Sequence, residues 1–430
     1  MKPAAWIDDR LGLSRALKSG LNHVFPKHWS FMIGEIALYC FAVLVITGTF
    51  LALFFEPSGT RTTYHGGYEP LQGVETSAAY ASAVRLSWDV PVGLLMRQIH
   101  HWAAVVFLAA VTAHILRVFF TGAFRRPREI NWLVGVGLVV LAVSAGFSGY
   151  SMLDDLLSGT GLRVWYALIL SIPFVGHWLA FLLFGGEFPG ADIISRLFVV
   201  HVFVFPVLIG GFLAAHMGII WHQMHTQFPG PGRSERRLHG QRLWPSYTAK
   251  TLGLFFAVFA VLALLGGLAQ INPVWLYGPY RPEAVTTGAQ PDWYLGWVEG
   301  ALRLFPNWEL ELFGYLVANP FFPAVLFPVL MFALLALWPF LEARVTGDRE
   351  PHLLLDSPTR RPVRTAIGVS IVTLFTLLLV AAGNDVFAHW LGVPLEQIVW
   401  WLRVAVLALP PAAGVLTYLV CRRIARVGAL

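Results

Sequence analysis

Two stretches decide the fold: residues 93–121, which read GLLMRQIHHWAAVVFLAAVTAHILRVFFT, and residues 197–221, which read LFVVHVFVFPVLIGGFLAAHMGIIW. Each stretch is long and apolar enough to cross the roughly 30 Å hydrocarbon core of a bilayer as one helix. Each also contains histidines, and ionisable side chains within such helices are rare and usually functional. The chain is therefore expected to span a membrane and to place functional histidines inside it.

The composition of the whole chain agrees with this interpretation. Of 430 residues, 57% are hydrophobic and only 13% are charged, whereas a soluble domain has about a quarter charged residues. A soluble enzyme and a disordered chain are thereby excluded. The formal net charge of +6 is not gathered on a basic face, which excludes a nucleic-acid partner. The two cysteines form no Cys-x-x-Cys motif, so we exclude a four-thiolate iron–sulfur cluster and the usual c-type haem attachment.

Further apolar runs predict an all-α polytopic membrane protein with eight transmembrane helices. The predicted spans are 31–55, 93–121, 131–150, 197–221, 249–268, 321–341, 364–383 and 397–421. Two long segments lie between spans. The first, 151–196, has short amphipathic stretches, and the second, 269–320, is rich in Trp, Pro and Tyr. We expect both to form ordered structure at the membrane interface.

The distribution of Lys and Arg predicts the orientation in the membrane. One side comprises the N-terminus, the loops after spans two, four and six, and the C-terminal tail, and it carries 22 of the 30 Lys and Arg residues. We therefore expect a cytoplasmic-membrane protein with both termini in the cytoplasm. Segments 151–196 and 269–320 then face outward. Residues 1–26 lack the pattern of a cleaved signal peptide, and we expect none.

Four histidines lie at matching depths on the second and fourth predicted helices. His100 and His114 share a helix face and differ by about 21 Å in height, and His201 and His216 differ by about 22 Å. His101 falls on the opposite face. Because both helices run inward, His100 is predicted to face His201, and His114 to face His216. Such pairs are typical of axial ligands of two stacked haems; polar side chains satisfied by neighbouring helices are the alternative.

Glycines repeat at the same interval on the two flanking helices. Gly34 and Gly48 are 14 residues apart in the first span, and Gly135 and Gly149 are 14 apart in the third. A glycine lets a flat macrocycle approach the helix backbone, so these residues are predicted to form the other walls of two haem pockets. Close packing of membrane helices also favours glycine, so the glycines alone are a weak signal.

Two arginines stand one turn beyond the histidines of the second span. Arg97 lies three residues before His100, and Arg117 lies three residues after His114. A guanidinium at membrane depth requires an anionic partner, and haem propionates would supply one at each position. For Arg117, a helix-end side chain that extends to the surface is the alternative.

The ordered set of motifs closely resembles cytochrome b, the haem-bearing core subunit of quinol–cytochrome c reductase (bc1) complexes, over nearly the whole chain. The motifs are Arg97-x-x-His100, His114-x-x-Arg117, the His201/His216 pair, the glycine pairs, Gly149-Tyr150 and Pro291-Asp292-Trp293-Tyr294. The last is an Asp form of the family's Pro-Glu-Trp-Tyr motif. The stretches 100–102, 120–125 and 227–232 resemble the actinobacterial, menaquinol-using branch. Eight spans in one chain fit the fused bc1 type.

The resemblance implies a division of the chain into two parts. Residues 1–222 would form an N-terminal, b6-like bundle that holds two haem b groups and includes the outer segment 151–196. Residues 223–430 would form a C-terminal, subunit-IV-like part of four helices that includes the outer loop 269–320.

The resemblance also implies a quinol-oxidation site near the outer haem. The Pro291–Tyr294 motif would be its catalytic face, with Asp292 as proton acceptor and Tyr294 as hydrogen-bonding partner. Gly149 and Tyr150 would form the opposite wall. From the residues alone, a helix cap at Asp292 stays open as an alternative.

An inner quinone-reduction site is implied near the other haem. His222 and His225 are expected to deliver protons there, with solvated interfacial side chains as the alternative. Lys250 and Thr251 align with a Lys-Asp pair of mitochondrial relatives. Because a threonine does not ionise like a carboxylate, the sequence leaves the inner proton donor unidentified.

The segment just after the third span contains two residues that depart from the family pattern and two acidic residues that allow two interpretations. Met152-Leu153 replaces Leu-Pro of relatives, so the turn after Tyr150 is expected to have a different shape. Asp154 and Asp155 are expected to cap the next helix, with a contribution to outer proton exit as the alternative.

The implied function is that of the diheme b subunit of a menaquinol–cytochrome c oxidoreductase in a respiratory chain. Quinol would be oxidised outside and quinone reduced on the cytoplasmic side, with electrons passing through two bis-histidine b haems and protons translocated by a Q cycle. Expected partners are a Rieske iron–sulfur subunit, a cytochrome c subunit, a second copy of the chain and, as a further candidate, a cytochrome c oxidase in a supercomplex. Three alternatives stay open: a divergent paralogue with one working quinone site, a b-type anchor of a dehydrogenase, and a haem-free transporter.

Overall fold

A computed structural model describes residues 3–190, 192–284 and 290–427. Within these ranges, eight helices are long and apolar enough to cross a membrane. They are Trp29–Ala52, Gly93–Thr121, Glu129–Ser151, Ile193–Gln223, Leu243–Leu268, Phe322–Thr346, Pro362–Ala382 and Leu395–Arg426. The all-α polytopic fold is therefore confirmed, and the predicted ends differ from these bounds by at most six residues.

The helices of the described ranges follow one another with few strands between them. They are α1 (Pro3–Leu11), α2 (Leu13–Leu21), α3 (Ile33–Ala52), α4 (Ala78–Trp88), α5 (Gly93–Thr121), α6 (Glu129–Ser151), α7 (Leu156–Leu170), α8 (Gly176–Phe184), α9 (Ile193–Val199), α10 (Phe205–Gln223), α11 (Thr248–Leu268), α12 (Val274–Tyr277), α13 (Trp293–Leu304), α14 (Phe327–Thr346), α15 (Pro362–Ala382), α16 (Asn384–Leu391) and α17 (Leu395–Val427). Short 3₁₀ turns occupy Trp29–Met32, Glu69–Leu71 and Pro358–Arg360. Wider π-helical turns occupy Val200–Val204, Leu243–Tyr247 and Phe322–Leu326. They precede α10, α11 and α14, respectively.

Short antiparallel strand pairs connect some of the loops. The strands are β1 (Val24–Phe25), β2 (Arg61–Thr63), β3 (Glu75–Ser77), β4 (Gln241–Arg242), β5 (Leu310–Leu312) and β6 (Tyr315–Val317). Strand β1 pairs with β4, β2 with β3, and β5 with β6. The β1–β4 pair joins the segment before α3 to the segment before α11, so it holds these two helix starts together.

Helix packing brings the glycine-bearing helices against the histidine-bearing helices. Helix α3 packs along α5, and α6 packs along α10. Helix α11 packs against both α3 and α5, while α15 packs against α13 and α17. Helix α5 ends at Gly122, whose positive φ of 64° closes the helix in the left-handed conformation that glycine adopts readily. His100 and His114 of α5 thus lie against α3.

The segments between spans are folded where the structure describes them. The loop after α3 forms the β2–β3 hairpin and α4 around the buried Tyr64 and Tyr80, which the sequence did not predict. Segment 151–196 contains α7 and α8, and segment 269–320 contains α12, α13 and the β5–β6 hairpin. The expected cap is confirmed at Asp155, whose Oδ1 accepts a hydrogen bond of 2.8 Å from the backbone N–H of Ser158 at the start of α7.

Candidate functional site

Four of the histidines in the second and fourth spans, at positions 100, 114, 201 and 216, lie in two facing pairs. The ring centres of His100 and His201 are 6.2 Å apart, and those of His114 and His216 are 6.3 Å apart. A metal ion bonded to two imidazole nitrogens at about 2 Å each separates those nitrogens by about 4 Å, and the ring centres lie farther apart. Each pair therefore has the spacing that one bridging metal ion requires.

Polar contacts orient the rings of the His100/His201 pair. Nδ1 of His100 lies 2.9 Å from Oγ1 of Thr47. Nδ1 of His201 lies 2.9 Å from the carbonyl oxygen of Ala145 and 3.2 Å from Oγ of Ser148. Metal-binding histidines commonly fix their second ring nitrogen in this way. The arrangement leaves Nε2 of both rings to bind a metal.

Glycines line the His100/His201 pair closely. A Cβ atom built on Gly149 would lie 2.6 Å from Cε1 of His201, and one built on Gly48 would lie 3.0 Å from Cε1 of His100. Any larger residue at Gly149 would displace the His201 ring. These two positions therefore require glycine for a packing reason that concerns the histidines directly.

Glycines also line the His114/His216 pair, with a looser fit, whereas Nδ1 of both rings is buried without a hydrogen-bond partner among the described residues. A Cβ atom on Gly34 would lie 3.1 Å from Cε1 of His114, and one on Gly135 would lie 3.8 Å from Cε1 of His216. Each of the predicted glycines thus lies against the histidine at its own depth.

Each histidine pair opens into a cavity formed by described residues. The cavity at His100 and His201, called the outer cavity after the predicted orientation, has a volume of about 230 Å³. The cavity at His114 and His216, called the inner cavity, has a volume of about 340 Å³. Both exceed the roughly 150 Å³ that holds a benzene molecule in an engineered apolar cavity. The bundle thus has room for sizeable planar groups.

Arg97 and Arg117 reach into these cavities with donors that lack acceptors. Arg97 donates from Nη1 to the carbonyl oxygen of Asn272 at 3.0 Å. Its Nε and Nη2 are buried without a hydrogen-bond partner among the described residues, and so are Nε and Nη2 of Arg117. An unsatisfied buried donor is costly, more so on a charged group. An anion beside each arginine would satisfy these donors, and haem propionates fit that requirement.

The carboxylate of Asp292 lies in the outer cavity at the start of α13. Although Asp292 is the N-cap residue of α13, its side chain makes no capping hydrogen bond. Instead, Oδ2 accepts a hydrogen bond of 3.0 Å from the Tyr294 hydroxyl, and Oδ1 lies 3.2 Å from Nε2 of His101. The helix-start interpretation of Asp292 is therefore confirmed, whereas a cap formed by its side chain is wrong. Burial and the adjacent Asp292 carboxylate raise the pKa of Tyr294 well above its usual value, so this hydroxyl stays protonated.

The wall opposite Asp292 contains the residues that follow the third span. Tyr150 lines the outer cavity together with Gly149, and so do Met152 and Leu153. Neither Pro291 nor Trp293 is among the described residues that line the outer cavity, and Trp293 is exposed. The structure thus brings Asp292, Tyr294, Gly149 and Tyr150 together and leaves the other two motif residues outside.

Of the four residues predicted for the inner quinone site, two line the inner cavity and two lie outside its described lining. His225 and Thr251 line the inner cavity. His222 is exposed, and the amino group of Lys250 donates to the carbonyl oxygen of Lys27 at 3.4 Å. Burial, with smaller effects from His23 and Arg128, lowers the pKa of His225 to about 3. The His225 ring is therefore neutral near pH 7, which suits a hydrogen-bonding partner better than a proton donor.

Two residues at these cavities were missed by the sequence analysis. His101 was set aside because it points away from the haem face of α5, yet that direction takes it to Asp292. Glu35 was given no role, yet it lines the inner cavity, where the hydroxyls of Tyr247 and Thr251 donate to its carboxylate. An acidic residue inside an apolar span was the available signal for Glu35.

Comparisons with known proteins agree with this architecture. The family model described as cytochrome b (N-terminal)/b6/petB matches residues 105–279. The cytochrome bc1 complex cytochrome b subunit of Streptomyces coelicolor is 48% identical over 97% of this chain and 77% of the relative. The subunit of the same name from Mycobacterium tuberculosis is 48% identical over 96% of this chain and 76% of the relative.

The comparison of structures shows the same fold. A solved structure named Hyperthermophilic respiratory Complex III matches with a TM-score of 0.72 at 21% identity, covering 96% of this chain and 99% of that chain. The fold and the relatives together define an integral membrane subunit of a quinol–cytochrome c oxidoreductase. The chain belongs to the family of cytochrome b subunits of the cytochrome bc1 complex. Membership of this family implies haem b.

Proposed function

We propose that the chain is the diheme b subunit of a menaquinol–cytochrome c oxidoreductase. It would oxidise quinol at the outer side and reduce quinone at the cytoplasmic side, with proton translocation by a Q cycle. The observation that carries this proposal is the presence of two histidine pairs with ring centres 6.2 and 6.3 Å apart, each opening into its own cavity.

In this proposal, His100 and His201 hold the iron of an outer haem b, and His114 and His216 hold the iron of an inner one. When bound, the two haems supply one-electron carriers stacked across the membrane. The residues fit these groups because a glycine at each depth lets the neighbouring helix approach the histidine without a side chain between them.

The arginines complete the two haem sites. Arg97 would bind a propionate of the outer haem through its free Nε and Nη2, and Arg117 would bind one of the inner haem in the same way. Each arginine lines the same cavity as the histidines of its site. The charge-assisted hydrogen bonds would satisfy donors that have no acceptor among the described residues.

The outer quinol site would use Asp292 as the proton acceptor. A quinol hydroxyl transfers its proton to the Asp292 carboxylate, which can then release it to water outside. Tyr294 and His101 fix the two carboxylate oxygens. Because Tyr294 keeps its proton, it acts as a hydrogen-bond donor that orients Asp292. Tyr150 and Gly149 would bound the quinol from the other side.

The inner quinone site would lie in the inner cavity. His225 and Thr251 line that cavity and would contact the quinone. His222 and Lys250 would act nearer the surface, since His222 is exposed and Lys250 bonds to the carbonyl of Lys27.

The same proposal assigns partners and a location. Menaquinol is favoured because the actinobacterial relatives are 43–48% identical. A Rieske subunit is needed because Cys40 lies in the first span and Cys421 in the last, so the two cysteines form no cluster-binding motif. A cytochrome c subunit, a second copy of the chain and a cytochrome c oxidase are the other proposed partners. The distribution of Lys and Arg favours the cytoplasmic membrane, with both termini in the cytoplasm.

A paralogue with only one working quinone site is the second candidate. It is favoured by Thr251, which stands where mitochondrial relatives are expected to have a carboxylate, and by the Met152-Leu153 departure at the outer cavity. Separate assays of quinol oxidation and of quinone reduction in the assembled complex distinguish the two candidates.

The first test is a reduced-minus-oxidised spectrum of the purified complex, with haem and protein quantified. We expect two b haems per chain in the wild type and one in each of the variants His100→Ala and His216→Ala. His222→Ala is the matched control, because His222 is exposed, and it should keep both haems. A correctly inserted wild-type chain without haem would overturn the proposal.

A further inference from the structure

Glu35 occupies the first turn of α3 and lines the inner cavity. Under the proposed orientation, this turn lies at the cytoplasmic end of the first span. Among the described residues that line the inner cavity, Glu35 is the acidic side chain. The other titratable groups there include His225, which is neutral near pH 7, and the two histidines proposed to bind iron. The described lining of the cavity thus contains one carboxyl group.

Hydroxyl groups from different elements converge on this carboxylate. The Tyr247 hydroxyl donates to Oε1, and the Thr251 hydroxyl donates to Oε2. The Tyr39 hydroxyl donates to Oε2 at 3.2 Å and lies in contact with the hydroxyl of Thr251. Tyr247 comes from the π-turn before α11, and Thr251 from α11 itself. The cluster of Glu35, Tyr39, Tyr247 and Thr251 therefore joins α3 to α11 beside the cavity.

The contact between Glu35 and Thr251 accounts for the departure at position 251. The family resemblance places a carboxylate there in mitochondrial relatives, whereas this chain has a hydroxyl. That hydroxyl donates to a carboxylate that comes from the facing helix. A carboxyl group is thereby present at nearly the same place as in those relatives, but it comes from α3 and lies one hydrogen bond away from position 251.

We propose that Glu35 is the proton-donating carboxyl group of the inner quinone site, with Thr251 and Tyr247 as its hydrogen-bonding partners. This inference rests on the proposed function. Reduction of a quinone to a quinol takes up two electrons and two protons, and the electrons are those released by quinol oxidation at the outer site. In each proton transfer, the O–H bond of the Glu35 carboxyl breaks and an O–H bond forms on a quinone carbonyl oxygen. The Glu35 carboxylate then takes a proton from cytoplasmic water before the next transfer.

The other cluster members are poorly suited to be the primary donor. A tyrosine hydroxyl has an ordinary pKa of about 10, and a threonine hydroxyl does not ionise in the physiological range. They can transmit a hydrogen bond and hold the carboxyl group in place. Glu35 therefore has the donor role, and the hydroxyls have a positioning role.

The test uses the complete complex in membranes with the variant Glu35→Gln. Glu129→Gln is a matched control, since Glu129 is also in the first turn of a span that starts at the same side, is half-buried, and lies outside the inner-cavity lining. The measurements are haem content, the rate at which a short-chain menaquinone oxidises prereduced b haems, and infrared difference spectra of quinone reduction. The double variant Glu35→Gln/Thr251→Asp removes the carboxyl group from position 35 and places one at position 251.

We expect the Glu35→Gln variant to keep both haems. The menaquinone should oxidise these haems about a hundredfold more slowly than in the wild type, which is within the range that general acid–base catalysis contributes. A carboxyl band in the infrared difference spectrum should disappear in Glu35→Gln and persist in Glu129→Gln. The double variant should recover at least about a tenth of the wild-type rate.

A wild-type rate in Glu35→Gln with the carboxyl band intact would overturn the inference. If the Glu35→Gln variant loses haem, the infrared difference spectrum of the wild type is the test instead. A wild-type spectrum without any carboxyl band would also overturn the inference. Failure of the proposed function has a different signature: the wild type itself would lack haem or would not react with quinone.

Discussion

Nε2 of His101 lies 3.2 Å from Oδ1 of Asp292, although 191 positions separate the two residues in the chain. The preceding residue, His100, points from the same helix toward His201. Helix α5 therefore presents one histidine to the proposed haem site and the next to the carboxylate of the proposed quinol site. This arrangement places the two sites side by side on one rigid element.

Replacement of Asp292 by Asn should abolish most quinol oxidation and leave both haems in place. An amide cannot take up the quinol proton, so we expect turnover to fall about 10²- to 10⁴-fold. Quinol:cytochrome c reductase activity and the haem spectrum are the measurements. Asp292→Glu should keep much of the activity, and Glu309→Gln, at an exposed position of the same outer loop, should keep all of it. Near-normal turnover in Asp292→Asn would contradict the assignment.

The neighbours His100 and His101 should give opposite results when each is replaced by Leu. His100→Leu should remove one b haem, because it removes a proposed iron ligand. His101→Leu should retain both haems and slow quinol oxidation about tenfold, since a hydrogen bond to a charged group contributes about 1.5 kcal/mol or more. The haem-to-protein ratio and the rate of quinol oxidation separate the two effects. Loss of haem in His101→Leu would show that its role is structural.

The sequence predicted the features that depend on local pattern and missed those that depend on loops and helix approach. The eight spans follow from apolar runs, and the pairing of His100 with His201 follows from helical periodicity and parallel direction. The contact of His101 with Asp292 depends on how the outer loop returns to α5. The contact of Glu35 with Thr251 depends on the close approach of α11 to α3. Neither approach leaves a periodic signal in the sequence.

The glycines at the histidine pairs should differ in their tolerance of a methyl group. Gly149→Ala places Cβ 2.6 Å from the His201 ring, so we expect loss of the outer haem or a destabilisation of about 1–3 kcal/mol. Gly135→Ala places Cβ at an ordinary distance of 3.8 Å from the His216 ring and should leave both haems bound. Haem content and thermal stability of the two variants are the measurements. Equal effects of the two substitutions would contradict the packing argument.

Asp155 should make the stability of the complex depend on pH. Burial raises the pKa of Asp155 to about 7, so the folded chain binds a proton here more tightly than the unfolded chain does. The stability contributed by this proton is present below about pH 4 and is lost as the pH rises toward 7. Asn retains the capping oxygen but has no charge to bury. Asp155→Asn should therefore raise the unfolding temperature at pH 8 more than at pH 5, as measured by tryptophan fluorescence.

Asp155→Ala serves as the control for the loss of the cap. Its unfolding temperature should be lower than that of Asp155→Asn at both pH values, because Ala also removes the buried charge but loses the hydrogen bond to Ser158 that opens α7. Burial also raises the pKa of Asp154, to about 6, so part of the pH dependence should persist in Asp155→Asn. An equal shift of the unfolding temperature at pH 5 and pH 8 in Asp155→Asn would show that Asp155 is ionised in the folded chain at both values. The carboxylate would then be stabilised by Arg97 and the start of α7 more than burial destabilises it.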